Sequence, residues 1–173
     1  MNHLATAITE SAKLSMGYAQ RLLTDVSADQ FHRLAPGANG PVASNHPAFV
    51  YGHLSLYAAR MVADVGGDAA AIEPTQAFLD AFNHGVACVD DPEGSIYPPM
   101  EVITERFFTS YETAITMVAT IDDAIYAAPN PNEAMRERFS SMASMHAFYL
   151  GGHMMIHMGQ ISAWRRMMGL PPA

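Results

Sequence analysis

From residue 4 to residue 24, Leu4, Ile8, Leu14, Tyr18 and Leu22 recur at four- or six-residue steps, with small residues between them. That spacing predicts a helix with one buried face. The pattern breaks over 27–45, where PGANGPVASN carries the Pro, Gly and Asn signals of a loop. Asn45 or His46 can cap a second helix that holds Pro47 in its first turn and runs to about Asp64, where Gly66-Gly67 stop it. A short helix is expected over 75–87. DDPEGS and Pro98-Pro99 punctuate the stretch between it and residue 99. Ile103, Phe107, Phe108, Tyr111, Ile115, Val118 and Ile121 mark a long helix over 99–124. After the turn APNPNE, a last helical region covers 132–169, with an interruption near Ser140-Ser141 and an end at Gly169 before Pro171-Pro172.

No period-two run suggests a strand, so four amphipathic helices with long connections predict an all-α, four-helix bundle in one domain over 1–173. Half of the residues are hydrophobic and only 15% are charged. The net charge of −8 and the lack of any basic patch longer than Arg136/Arg138 or Arg165/Arg166 argue against a nucleic-acid partner. Cys88 is the sole cysteine, which excludes an intramolecular disulfide and suits a reduced, cytoplasmic setting. No apolar run is long enough to predict a membrane span, and the first residues do not read as a signal peptide.

The candidate chemistry lies in histidine. His153 and His157 stand one turn apart in GGHMMIHMGQ, so both rings project from one side of the last helix, ~6 Å apart along its axis. Such a pair can place two imidazole nitrogens on one cation. The glutamate of an HExxH motif is missing, so a zinc-peptidase mechanism has no base here. At 100° per residue, His146, Leu150, His153, His157, Gln160, Ile161 and Trp164 share a side, and Met155 and Arg166 lie opposite. A third ligand must come from another helix. His53 qualifies, on the apolar side with Phe49, Val50, Leu56, Tyr57 and Arg60. The adjacent Gly52 either permits a close helix approach or merely interrupts propensity. His46 and His146, two turns before His53 and His153, suit a pocket or supporting role. The same residues also fit a plainer account, with histidines satisfied inside a core by backbone or carboxylate partners. His3, His32 and His84 are expected on the surface or in loops. The methionines are expected to fill core or interface, and Cys88 to be a small buried hydrophobe or a loop thiol.

VYGHLSLY and HMMIHMGQISAWRRMMGLP resemble the DinB-like superfamily, which includes YfiT-type metal proteins and thiol-dependent transferases. The family's small-residue–His pattern on the second helix falls on Gly52-His53. Its HxxxHxGQI pattern, basic pair and Gly-hydrophobic-Pro end fall on His153, His157, Gly159, Gln160, Ile161, Arg165-Arg166 and Gly169-Leu170-Pro171. Many members carry Glu where this chain has Met154 and Arg where it has Met158, changes that leave the three histidines in place. The resemblance implies an up-down-down-up four-helix bundle, commonly a homodimer, with a divalent metal held by His53, His153 and His157. It also implies transfer or isomerisation chemistry between a low-molecular-weight thiol and an electrophile, with Tyr57, Arg60, Gln160 and Trp164 shaping the cleft for the thiol cofactor. Arg60 has an equally good plain role in a surface ion pair. Zinc and nickel both accept imidazole nitrogen. Hydrolysis by a metal-activated water and a nonenzymatic metal-binding or structural role are the other readings.

Overall fold

A computed structural model describes residues 2–173. The first helix, α1 (His3–Leu22), buries Ala5, Ile8, Ala12, Ser15, Met16, Ala19 and Leu22. This stripe is a register of mostly small residues, and Leu14, expected on the buried face, is 77% exposed. Leu4 is exposed as well. The close approach of neighbouring helices, rather than side-chain size, chose which face of α1 turned inward. Gly151 shows how close that approach is, because a Cβ there would lie 2.7 Å from Ser11 Oγ.

A one-turn helix, α2 (Ala28–Phe31), starts at a Ser27–Gln30 capping box. Next comes a hairpin of two two-residue strands, β1 (Pro36–Gly37) and β2 (Gly40–Pro41), where the expected absence of strands fails. His46 caps α3 (Pro47–Leu54): its Nδ1 accepts from the Phe49 N–H at 3.2 Å, and Pro47 takes the first turn. The second predicted helix is broken at Ser55–Tyr57 and resumes as α4 (Ala58–Asp64), ending before Gly66 with its positive φ of 78°. The helix expected over 75–87 is α5 (Gln76–Phe82), capped by Thr75 and shorter than predicted. The loop over 83–99 is organised by Asp91, whose carboxylate accepts the N–H groups of Ser95, Ile96 and Tyr97.

Helix α6 (Met100–Val118) buries Ile103, Phe107, Tyr111, Ile115 and Val118 as their spacing predicts. It stops before the predicted end. Asp122 starts a separate short helix, α7 (Asp123–Ala127). Residues 132–140 hold only a 3-10 turn (Glu133–Met135), since Asn130 and Asn132 draw the backbone into local side-chain bonds. The last helical region therefore begins at the Ser141–Ser144 capping box as α8 (Met142–Ala147). It passes through a π-helical segment (Phe148–Gly152) and continues as α9 (His153–Met167).

The result is an all-α architecture of several packed helices, more interrupted than four plain rods. Helix α1 packs against α6 and α9, and α3 packs against the same two, with α4 extending the α6 contact. The second helical stretch thus sits across from α1, and the long connection over 23–46 carries the chain there. Between them lie Tyr51, Leu54, Phe107, Tyr111, Leu150, Met154, Met158, Ile161 and Trp164. Each large apolar side chain taken from water contributes about 1.5–3 kcal/mol. Arg165, the first residue of the basic pair Arg165-Arg166, is buried. Its guanidinium donates to the carbonyls of Leu22 and Pro171, tying the end of α9 to the end of α1. Among the described residues, no helix is long and apolar enough to cross a membrane.

Candidate metal centre

Helix α3 contributes His53 and the first two turns of α9 contribute His153 and His157. Each offers a ring nitrogen, and these atoms all lie within 4.8 Å of one another. His53 is buried and the other two are half-buried. The rings meet edge to face, with centroids 4.7–5.5 Å apart.

Hydrogen bonds fix which nitrogen of each ring faces the others. His53 Nδ1 lies 2.7 Å from the Phe82 carbonyl, which can only accept, so Nδ1 carries the proton and Nε2 keeps its lone pair. His157 Nδ1 likewise donates to Gln160 Oε1 at 2.9 Å, and Asn45 Nδ2 donates to the same oxygen at 3.2 Å. These are the outer partners that hold a ligating imidazole in one tautomer and orientation. His153 Nε2 sits 3.2 Å from His157 Nε2, while His153 Nδ1 is buried with no partner. The Nε2 atoms of His153 and His157 thus face each other, and the third ring, of His53, turns its Nε2 toward the same space.

Burial disfavours the charged form of all three rings. It pulls His153 down to about 3, with help from the neighbouring His157 and His53. It also lowers His53 against the pull of the Phe82 carbonyl, and lowers His157 against the pull of Gln160. Neutral imidazole is the metal-binding form. The separation of 3.2 Å between the two Nε2 atoms also matches the donor–donor edge of about 3.3 Å in a tetrahedral site with bonds of ~2.0–2.1 Å. The three histidines form a cluster able to coordinate a divalent metal.

Gly52 has a definite role. A Cβ at that position would lie 2.5–2.6 Å from ring atoms of Phe82. The missing side chain lets α5 press onto α3, which delivers the Phe82 carbonyl to His53. The π segment has a second effect. An unbroken α-helix would place His146 and His153 on one line, but the wider turn between them shifts the phase. His146 is buried beside Tyr126, at 3.4 Å, and Asp64, at 3.5 Å, and makes no contact with the three-histidine group.

The remaining sequence candidates divide. Tyr57 joins the cluster: its hydroxyl is 3.3 Å from His53 Nε2 and its ring packs edge-on against His153. Gln160 joins as the acceptor for His157. Arg60 is exposed, with its guanidinium 3.8 Å from Asp64. Trp164 is buried and donates its indole N–H to the Arg33 carbonyl at 2.8 Å. His46 serves α3 as a cap and contacts Val89 at 2.9 Å, apart from the cluster. His32 lies in a loop as expected but is buried, 2.9 Å from the Pro98 carbonyl. Cys88 is half-buried in the 83–99 loop, and burial raises its thiol to about 11.

Residue types alone did not single out Phe148, Tyr149, Phe49 or the Phe82 carbonyl. Phe148 stacks on His153, Phe49 stacks on His53, and Tyr149 stacks on Tyr57. For Phe148, Tyr149 and Phe49 a signal existed, since each lies four or five residues before a ligand candidate. A backbone carbonyl 29 residues away in sequence leaves none.

Comparison of the chain with protein-family models, with curated proteins and with solved structures finds no match.

Proposed function

We propose that this protein binds a divalent metal, zinc or nickel, through His53, His153 and His157, as a DinB-like helical bundle of one domain over 1–173. The convergence of three imidazoles within 4.8 Å carries the reading. Support comes from two of them being held by protein acceptors in the tautomer that leaves Nε2 free. The bond from Arg165, near the end of α9, to the carbonyl of Leu22, at the end of α1, supports α1 and α9 running the same way, as the up-down-down-up order requires.

The chemistry we assign is transfer or isomerisation with a small thiol and an electrophile. A divalent metal in this ligand set supplies Lewis acidity that favours the thiolate at neutral pH. The protein's own groups hold the arrangement. Phe82 and Gln160 orient their histidines, while Tyr57, Phe148 and Tyr149 pack their rings around His153. Neither Arg60 nor Trp164 enters this scheme as a thiol contact, because Asp64 and Arg33 already engage them. The homodimer and the cytoplasmic setting belong to the same proposal, and light scattering tests the first. The excess of acidic over basic residues, 17 against 9, supports the exclusion of nucleic acid.

The test begins with protein purified without added metal. Elemental analysis should find one divalent ion per chain, removable by a chelator and restored by zinc or nickel. The loaded protein is then assayed against a panel of low-molecular-weight thiols and electrophiles, with turnover lost on chelation. A chain that takes up no ion ends the proposal. Uptake without turnover on the panel moves it to the binding-only reading, which the crowding of aromatic rings around His153 favours as the second choice.

A further inference from the structure

We propose that the Tyr57 phenol is a fourth protein donor to the metal, so that the site is a three-histidine, one-tyrosine set closed by the protein itself. This rests on the metal reading above and extends it to a residue of a different chemical type.

Three observations lead there. The Tyr57 hydroxyl is 3.3 Å from His53 Nε2, the atom that faces the other two histidines. The phenol hydrogen-bonds to Nε2 at that distance, which is also close to the donor–donor edge of about 3.3 Å expected for a tetrahedral site, as is the 3.2 Å between His153 Nε2 and His157 Nε2. Two donor pairs, one within α9 and one across the α3–α4 break, thus carry the same spacing. The ring is also fixed in place. It packs edge-on against His53 and His153, with centroids 5.2 and 4.8 Å away, and stacks on Tyr149 at 5.0 Å.

The chain is built to bring the hydroxyl there. Tyr57 comes four residues after His53, at the point where α3 ends and before α4 begins. The backbone tightens over this stretch, with Leu56 N–H donating to the His53 carbonyl and Tyr57 N–H to the Leu54 carbonyl, three residues back in each case. This tight turn brings the phenol edge-on to the ring of His53. On coordination the phenol oxygen forms the bond to the cation and its proton leaves to solvent. Four protein donors make a closed site, and an incoming ligand must displace Tyr57 to reach the metal.

The test uses Cu(II), which gives a visible charge-transfer band when bound by phenolate. Full-length wild type, Tyr57→Phe, Tyr149→Phe and His153→Ala are titrated with Cu(II) and followed by absorption and elemental analysis. Tyr57→Phe keeps the ring and its stacking, and Tyr149→Phe removes a neighbouring hydroxyl as a control. The expected result is one copper per chain in wild type and both Phe variants. The band should be present in wild type and Tyr149→Phe and absent in Tyr57→Phe, with roughly tenfold or greater loss of affinity in the last. Copper bound by His153-dependent uptake with no band, or with a band unchanged in Tyr57→Phe, overturns the fourth donor and leaves the histidine site standing. Copper uptake that is absent, or unaffected by His153→Ala, overturns both.

Discussion

Apart from His146, the buried and half-buried histidines form two groups that differ in what their nitrogens face. In the loop-side group, His46 has both nitrogens engaged: Nδ1 accepts from the Phe49 N–H, and Nε2 donates to the Val89 carbonyl. His32 contacts the Pro98 carbonyl and stacks on Tyr97, which His46 meets edge-on. In the group formed by α3 and α9, protein acceptors take one nitrogen of His53 and of His157, and the other nitrogens turn toward one another. Burial alone does not separate the two groups. Convergence does, because ring nitrogens of His53, His153 and His157 all lie within 4.8 Å of one another, whereas His46 and His32 are turned to backbone groups.

The sharpest break in that comparison exchanges one residue from each group. His153→Ala should weaken zinc binding by at least roughly a hundredfold, about 3 kcal/mol, in calorimetric titration. His46→Ala should leave one zinc per chain and instead lose about 1 kcal/mol of stability with its helix cap, read by urea unfolding. Equal effects of the two variants on zinc would erase the distinction.

Acid comes next and acts on the loop-side group. Burial lowers His46 to about 4, despite the hydrogen bond to Val89 and the nearby Asp90 and Asp91, while His32 pushes in the same direction as burial. Tyr97 and Cys88 are the other titratable groups around it. The unfolded chain takes up this proton first on acidification. The contribution of His46 is therefore complete above about pH 6.5 and is lost as the pH falls toward 4, on the order of 3 kcal/mol in all. His46→Asn keeps a capping side chain with nothing to titrate, so its stability between pH 6.5 and 4 should change less steeply than wild type in urea unfolding.

Gly52→Ala sharpens the comparison from the backbone. Its Cβ collides with the Phe82 ring, so we expect a loss of about 1–3 kcal/mol in stability and a weaker zinc site as the Phe82 carbonyl shifts from His53. A variant as stable as wild type would show that the ring moves aside at no cost. The smallest effect belongs to Gln160→Leu, which removes the acceptor for His157. Zinc affinity should fall roughly tenfold, about 1.4 kcal/mol, with the unfolding midpoint of the metal-free protein nearly unchanged.

Much of the helical outline was legible in local spacing. Ile103, Phe107, Tyr111, Ile115 and Val118 lie on the buried face of α6, as one turn per 3.6 residues requires. His153 and His157 share a face for the same reason, and the Pro47 and Gly66 boundaries follow from backbone chemistry. Where local bonds competed, that reading failed. Asn130 and Asn132 turned 132–140 away from helix, and Phe148–Gly152 widened into a π turn that parted His146 from His153. Leu14 left its expected buried place, and Arg165 is buried, because burial depends on what lies opposite a residue, which periodicity does not specify.

The sequence by itself determined which residue types were present for chemistry and which of them shared a helix face, because both follow from side-chain identity and a fixed rise and rotation per residue. Only the tertiary structure decided that His53 meets His153 and His157, that the Phe82 carbonyl selects its tautomer, and that Tyr57 faces the same space. Those outcomes depend on contacts between segments far apart in the chain and on a backbone oxygen that every residue possesses.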